Sequence, residues 1–327
     1  MNASKSTENF IPAKMTHGLE ELFEHAPTAL DILDHPITKP AEVQLWIKRD
    51  DQLFLGRANA FCGNKWRKMA YNLLAAREQG FSKLLTFGGA FSNHITAVAA
   101  AGEHFGLETI GVIRGEELNA QSNDSLQFAS DCGMQLHFIS RSDYRKKYMP
   151  EFLDSFRRTY GNFYFLPEGG TNDLALKGCA VLAAEIEAQL GFQPDYYCLS
   201  MGTGGTAAGL ISGLDGKSRV LIFPALKGDF LKLELQRLLH DAGMNHLSNW
   251  DIISDFHFGG YAKMDAALLE FIYQFEQNTS IQLDPIYTAK LFYGLFHLLE
   301  AGYFPKGSRI VAIHTGGLQG RKGFGMA

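Results

Sequence analysis

Lys83-Leu84-Leu85-Thr86-Phe87 is a short apolar run, Gly88-Gly89-Ala90-Phe91-Ser92-Asn93 is a turn, and an alanine-rich stretch follows from His94 to Phe105. A β-rich run closed by glycine and followed by a helix-length segment is the repeating unit of a parallel sheet. The unit recurs along the chain. Glu108 to Ile113 and Gln135 to Ile139 read as further strands, and Asn162 to Leu166 as a fourth that runs into Pro167-Glu168-Gly169-Gly170. Asp195 to Leu199 stops before Gly202, Arg219 to Phe223 before Pro224, and Arg309 to Ile313 before Gly316-Gly317. Helical patterns such as Lys177 to Leu190 and Ala289 to Ala301 fill the intervals. Continuous apolar runs of this kind predict strands covered on both faces. The fold class is therefore α/β, with doubly wound, mostly parallel sheets. The strands fall into two groups, at about 83–166 and about 195–313, while the first ~40 residues read as an irregular, proline-containing segment lying over a surface.

A chain of 327 residues is long enough for two ordinary domains. Hydrophobic residues make up 46% and charged residues 20%, which excludes a disordered or fibrous polymer. No run approaches the roughly 20 apolar residues of a membrane span, and the polar N-terminus has no apolar signal core. The net charge is −5 and the cations are scattered, so nucleic acid is not the expected partner. Cys62, Cys132, Cys179 and Cys198 are widely spaced and form no C-x-x-C pair. That pattern supports neither a zinc site nor a disulfide framework, and the expectation is a reduced, cytoplasmic protein without a metal.

Four segments carry candidate chemistry. Gly63-Asn64-Lys65-Trp66-Arg67-Lys68 puts three cations just before a helical pattern, Met69 to Gln79. The helix dipole disfavours positive charge there. The segment reads either as a solvated basic turn, or as an anion site in which a desolvated Lys65 gives up its proton and becomes a nucleophile. Ser92 or Asn93 reads as a helix cap, or else the turn's free amides hold a carboxylate; His94 alone reads as a structural histidine. Ser200-Met201-Gly202-Thr203-Gly204-Gly205-Thr206 can aim successive amides at a phosphate, or can be a close-packing turn. It is neither a G-x-x-x-x-G-K-[ST] loop nor a G-x-G-x-x-G dinucleotide fingerprint, since Ala207 stands in the last glycine's place. Finally, Asp284-Pro285-Ile286-Tyr287-Thr288 opens a helix and His314-Thr315-Gly316-Gly317 follows the last strand. Tyr287 can stack on a flat ring, and Thr288 and Thr315 offer neutral hydroxyls. No G-x-S-x-G elbow is present.

A reactive lysine, a phosphate cup, a stacking tyrosine and a hydroxyl for a ring nitrogen are what pyridoxal phosphate requires. G-N-K-x-R-K, G-G-x-x-S-N, G-T-G-G-T and D-P-x-Y, in that order, resemble the D-cysteine desulfhydrase and 1-aminocyclopropane-1-carboxylate deaminase family of fold type II enzymes, from about Leu45 to the C-terminus. The resemblance implies that Lys65 carries the cofactor covalently, and that Lys68 with the amides of Gly202, Thr203, Gly204, Gly205 and Thr206 holds its phosphate. Asn93 would bond the ring hydroxyl, and Tyr287 would lie against the ring near Thr288 and Thr315. Ser92, Asn93 and His94 would receive the substrate carboxylate, with Ser92 a second proton carrier. The cofactor would sit at a domain interface, between a large domain of residues 1–65 and 168–327 and a smaller insertion of residues 66–167, in a homodimer.

Two positions bear on the reaction. Deaminases of that family carry glutamate where this chain has Thr288 and leucine where it has Thr315. A carboxylate near the pyridine nitrogen deepens the electron sink, as opening a cyclopropane requires; expelling a thiolate does not need it. The expectation is β-elimination from a small amino acid such as D-cysteine. Ring-opening deamination, racemisation and a non-catalytic ligand-binding role are the alternatives. The bulk of Trp66 and Phe91 is expected to shape the substrate pocket.

Overall fold

The computed structural model describes residues 18–326. Six strands form the larger sheet in the order Leu30–Ile32, Gln44–Arg49, Arg309–His314, Tyr196–Met201, Arg219–Pro224 and Trp250–Ile252. All neighbours run parallel except the first pair, in which Asp31 lies opposite Ile47. Four wholly parallel strands form the smaller sheet, in the order Gln135–Ile139, Glu108–Arg114, Lys83–Gly88 and Tyr164–Leu166. The expected α/β class with mostly parallel sheets is what is found. The irregular segment assigned to the first ~40 residues needs correction. Residues 1–17 lie outside the described residues, but Leu30–Ile32 is an edge strand and Thr38–Ala41 a helical turn.

The continuous apolar runs are explained by burial on both faces. In the last strand Ile310 and Ala312 face one core with Leu221, Phe275 and Phe292, while Val311 and Ile313 face another with Leu199, Ile222 and Leu210. The Asn64–Glu78 helix joins the two sheets. Trp66, Met69 and Leu73 enter the core of the smaller one, and Gly178 of the Asp173–Leu190 helix meets its backbone so closely that a Cβ would lie 1.9 Å from the Arg67 carbonyl oxygen. Trp66 is thus a core residue, stacked on Phe61 at 5.3 Å, and does not shape a pocket.

The middle cation of the basic segment is also structural. Arg67 donates to both oxygens of Asp50 at 2.6 and 2.7 Å and to Glu185 at 2.9 Å, and Lys48 pairs with Glu185 at 2.5 Å. Burial alone would raise the Glu185 carboxyl, but Arg67 and Lys48 bring it down to about 2. Removing one member leaves a buried charge uncompensated. Glu185→Ala is expected to lower stability by about 3–5 kcal/mol, read as a fall in denaturation midpoint at neutral pH. This contribution is complete above the ordinary carboxylate pKa of 4.5 and is lost as the pH falls through about 2.

Candidate active site

Three strands end at the site: Lys83–Gly88 leads to Ser92, Tyr196–Met201 to the Gly202–Thr206 loop, and Arg309–His314 to Thr315. Tyr196–Met201 lies between Arg219–Pro224, which continues the chain on one side, and Arg309–His314 on the other. The strand order reverses there, and ligands of open α/β sheets bind at the carboxyl ends of strands at such points.

Gly63 takes φ +58°, and a Cβ on it would fall 2.1 Å from the Thr315 carbonyl oxygen, so only glycine lets the chain pass. That same carbonyl accepts the Asn64 backbone amide at 3.1 Å. The helix therefore begins against the 314–317 turn and presents Lys65 and Lys68 from its first two turns. With Arg67 neutralised, these two cations have no carboxylate partner among the described residues. Lys65 Nζ reaches only Asn64 Oδ1, at 3.3 Å, and burial lowers its pKa. Lys68, 2% exposed, donates to the Gly169 carbonyl at 2.7 Å, Thr171 Oγ1 at 2.8 Å and Thr203 Oγ1 at 3.3 Å. Burial, aided by the positive charge of Lys65, brings its pKa down to about 7.

The glycine loop closes on these lysines. Gly204 (φ +84°) starts the Gly205–Leu214 helix, whose first-turn amides receive no side-chain cap. The helices beginning at Asn93, Asp124, Asp173 and Ala266 are all capped by a side chain. A Cβ at Gly205 would meet Lys68 Cε and Thr171 Oγ1 at 2.8 Å, and one at Gly202 would meet the Tyr287 ring at 3.1 Å. Asn64 Nδ2 donates to Thr206 Oγ1 at 3.1 Å. A buried ammonium among neutral oxygens, beside the uncapped positive end of a helix, needs an anion, and a phosphate fits that donor set.

Ser92 caps the Asn93–Phe105 helix by accepting the Ile95 amide at 3.3 Å. Asn93 Nδ2 donates to the Gly317 carbonyl at 3.4 Å, which joins the turn of the smaller sheet to the end of the larger one. His94 points inward. It is 2% exposed, and its Nε2 shares a 2.9 Å hydrogen bond with Thr86 Oγ1. Burial, then the charges of Lys65 and Lys68, hold it well below the usual histidine pKa, so it is neutral. Only its backbone, not its ring, shares the helix N-terminus with Ser92 and Asn93.

Asp284 explains the D-P-x-Y segment. Its carboxylate accepts the amides of Ile286, Tyr287 and Thr288 at 2.8–2.9 Å and the Thr288 hydroxyl at 2.8 Å. Thr288 is fully buried and committed to Asp284, while Thr315 is buried beside Gly63. Burial, with the neighbouring Tyr261 phenol and Asp284, raises the Tyr287 phenol well above its ordinary range. Sequence reasoning missed Gly169 and Thr171, which complete the Lys68 shell, and Tyr261, whose ring meets Tyr287 edge-on at 6.2 Å. The Gly169-Gly170 pair was a visible turn signal in the sequence, and both glycines take positive φ. No local pattern marks Tyr261.

Unpaired lysines, an amide cup and a ring-bearing helix start define a site for a flat, phosphate-bearing aldehyde. The chain belongs to the pyridoxal-phosphate dependent enzymes, whose family model matches residues 25–316, and its cofactor is pyridoxal phosphate. It is 32% identical over 320 residues to a bifunctional D-cysteine desulfhydrase/1-aminocyclopropane-1-carboxylate deaminase, mitochondrial, of Arabidopsis thaliana, covering 90% of this chain and 77% of the relative. It is 28% identical over 303 residues to the 1-aminocyclopropane-1-carboxylate deaminase of Ralstonia pickettii, covering 85% and 87%. The solved structure of an ACC deaminase homologue superposes with a TM-score of 0.78 at 27% identity, over 95% of this chain and 98% of that one.

Proposed function

We propose that the protein eliminates a β-substituent from a small amino acid, D-cysteine first, converting D-cysteine and water to pyruvate, hydrogen sulfide and ammonia. The bound cofactor supplies an electron sink for the carbanion at the substrate Cα. Lys68 and the amides of Gly202, Thr203, Gly204, Gly205 and Thr206 anchor its phosphate, and Tyr287 lies against its ring. Asn93 would complete the cofactor contacts, with Thr315 on the 314–317 turn, while Thr288, bound to Asp284, supports the helix start that bears Tyr287. Lys65, unpaired and with a lowered pKa, takes the Cα proton, and Ser92 is its second carrier. The Ser92–His94 turn receives the substrate carboxylate at a helix N-terminus. On this reading residues 66–167 form the inserted domain, and the cofactor lies between it and the domain of residues 1–65 and 168–327.

One observation carries the choice of β-elimination. The helix start that holds Tyr287 offers no free carboxylate, because Asp284 is bound by four donors and Thr288 and Thr315 are neutral. A weaker sink suits a thiolate, which leaves readily. The deaminase descriptions of the Ralstonia relative and the solved homologue favour the second reading, ring-opening of 1-aminocyclopropane-1-carboxylate to 2-oxobutanoate and ammonia. Purified holoenzyme given D-cysteine, D-serine and 1-aminocyclopropane-1-carboxylate separately is expected to release sulfide and pyruvate one to one from the first, at least about tenfold faster than 2-oxobutanoate from the last, a preference of about 1.4 kcal/mol. Sulfide-free turnover of the cyclopropane substrate overturns the preference. Loss of optical activity without pyruvate identifies a racemase, and cofactor binding without turnover a non-catalytic protein.

A further inference from the structure

The segment between Trp250–Ile252 and the Ala266–Thr279 helix is wound through unusual backbone. Phe258 and Ala262 take φ +53° and +54°, and Gly259 and Gly260 take +86° and +117°. Non-glycine residues persist in that region only where tertiary contacts impose it. Phe258 packs on the Tyr293 ring at 4.9 Å, and a second contact comes from Lys290, in the first turn of the Thr288–Glu300 helix and fully buried. Its Nζ donates to the carbonyl oxygens of Gly260 at 2.7 Å, His257 at 2.9 Å and Ala225 at 3.3 Å. Three backbone acceptors thus converge on one ammonium, which hydrogen-bonds no carboxylate among the described residues. Gly260 is followed by Tyr261, whose hydroxyl donates to the Phe91 carbonyl at 3.1 Å, across to the turn that carries Ser92. The Tyr261 ring also meets Tyr287, three residues before Lys290. One helix start therefore presents Tyr287 to the site and fastens the loop whose tyrosine covers it.

We propose that Lys290 is a positioning residue, a latch whose ammonium gathers the Ala225, His257 and Gly260 carbonyls and holds Tyr261 against Phe91 and Tyr287. It touches neither cofactor nor substrate and acts through the loop. Without it the buried Ala225 carbonyl loses its donor, the Gly260 and His257 carbonyls keep only their turn bonds from the Lys263 and Gly260 amides, and the loop loosens toward water. Its effect on turnover rests on the amino-acid site proposed above; its effect on the loop does not.

The test uses holoenzyme and two independent readouts, amide hydrogen exchange over residues 257–263 and steady-state kinetics with D-cysteine. Lys290→Met is expected to speed exchange in that segment at least tenfold and to raise KM about tenfold. Borohydride labelling of Lys65 stays unchanged, showing that the fold and cofactor site survive. In Lys290→Ala, millimolar propylammonium is expected to restore part of the protection. Tyr261→Phe and Lys290→Met together are expected to raise KM no further than Tyr261→Phe alone, because both break one link. Unchanged exchange in Lys290→Met, or KM effects that multiply in the double variant, overturns the latch. Should Lys290→Met not fold, Lys290→Gln, which keeps two donors, is expected to show intermediate exchange, and wild-type exchange in it overturns the proposal equally. If D-cysteine is not turned over, the substrate reading fails while the exchange data still judge the latch.

Discussion

A Lys65→Ala variant folds normally, binds pyridoxal phosphate reversibly, and turns over substrate at least about 10⁴-fold more slowly than wild type. The size of the effect follows from how little else Lys65 does. Its amine has one weak partner, Asn64 Oδ1 at 3.3 Å, and it takes no part in the Arg67–Asp50–Glu185 network. Truncation therefore removes chemistry and breaks no ion pair, so the variant is expected to fold and to unfold cooperatively at neutral pH. The amine is also primed, because burial lowers its pKa. Lys65→Arg separates charge from basicity. A guanidinium keeps the charge but cannot give up its proton near neutrality, so this variant is expected to be as inactive as the alanine one. The measurement is borohydride reduction with peptide mapping. Wild type carries the label at position 65 and neither variant does. A label retained in Lys65→Ala, or activity above 1% of wild type, refutes the assignment.

The fold was legible wherever burial is symmetrical. Strands such as Lys83–Gly88 and Arg309–His314 are apolar on both faces, and the sequence says so directly. Gln44–Arg49 carries no such local signal, because polar residues interrupt its apolar ones: Lys48 is fully buried and is held by Glu185, 137 positions further on, with Gln189 and the Thr28 carbonyl. Trp250–Ile252 was missed as a three-residue edge strand with an aspartate at its centre. The site divides in the same way. Gly63, the Gly202–Thr206 loop and the Asp284–Tyr287 segment are visible because backbone geometry dictates their residues locally. Which of the three cations in the basic segment is free is decided by Asp50 and Glu185, and no spacing rule encodes that choice. Tyr261 arrives by tertiary fastening alone. The inward turn of His94 likewise depends on Thr86, a hydroxyl on the preceding strand.

Lys68 yields the largest expected change in how stability responds to pH. Without cofactor, its ammonium sits in a cup whose only partners among the described residues are uncharged oxygens, and its pKa falls from 10.5 to about 7. Between those values the unfolded chain holds a proton that the native protein does not, so the stability of the cofactor-free protein rises as the pH climbs from 7 to 10.5. Below about 7 the full penalty applies; above 10.5 it is gone. At ~1.4 kcal/mol per pH unit, and allowing for water entering the cup, the interval amounts to a penalty on the order of 3 kcal/mol. Lys68→Met removes the titrating group. The cofactor-free variant is therefore expected to rise less steeply than wild type between pH 7 and 9.5, keeping only the part that comes from other buried lysines such as Lys65 and Lys290. Bound phosphate restores the ammonium by charge-assisted hydrogen bonds, so holoenzyme should lose the Lys68 part of the slope as well. The same variant gives up roughly 1.5–3 kcal/mol of phosphate binding, a weakening of cofactor affinity by about 10–100-fold. Denaturation midpoints across that pH range, with and without pyridoxal phosphate, together with a cofactor titration, read all of this. Parallel pH profiles for the two cofactor-free proteins would mean that Lys68 is solvated as an ordinary lysine, and its place in the phosphate cup would be lost.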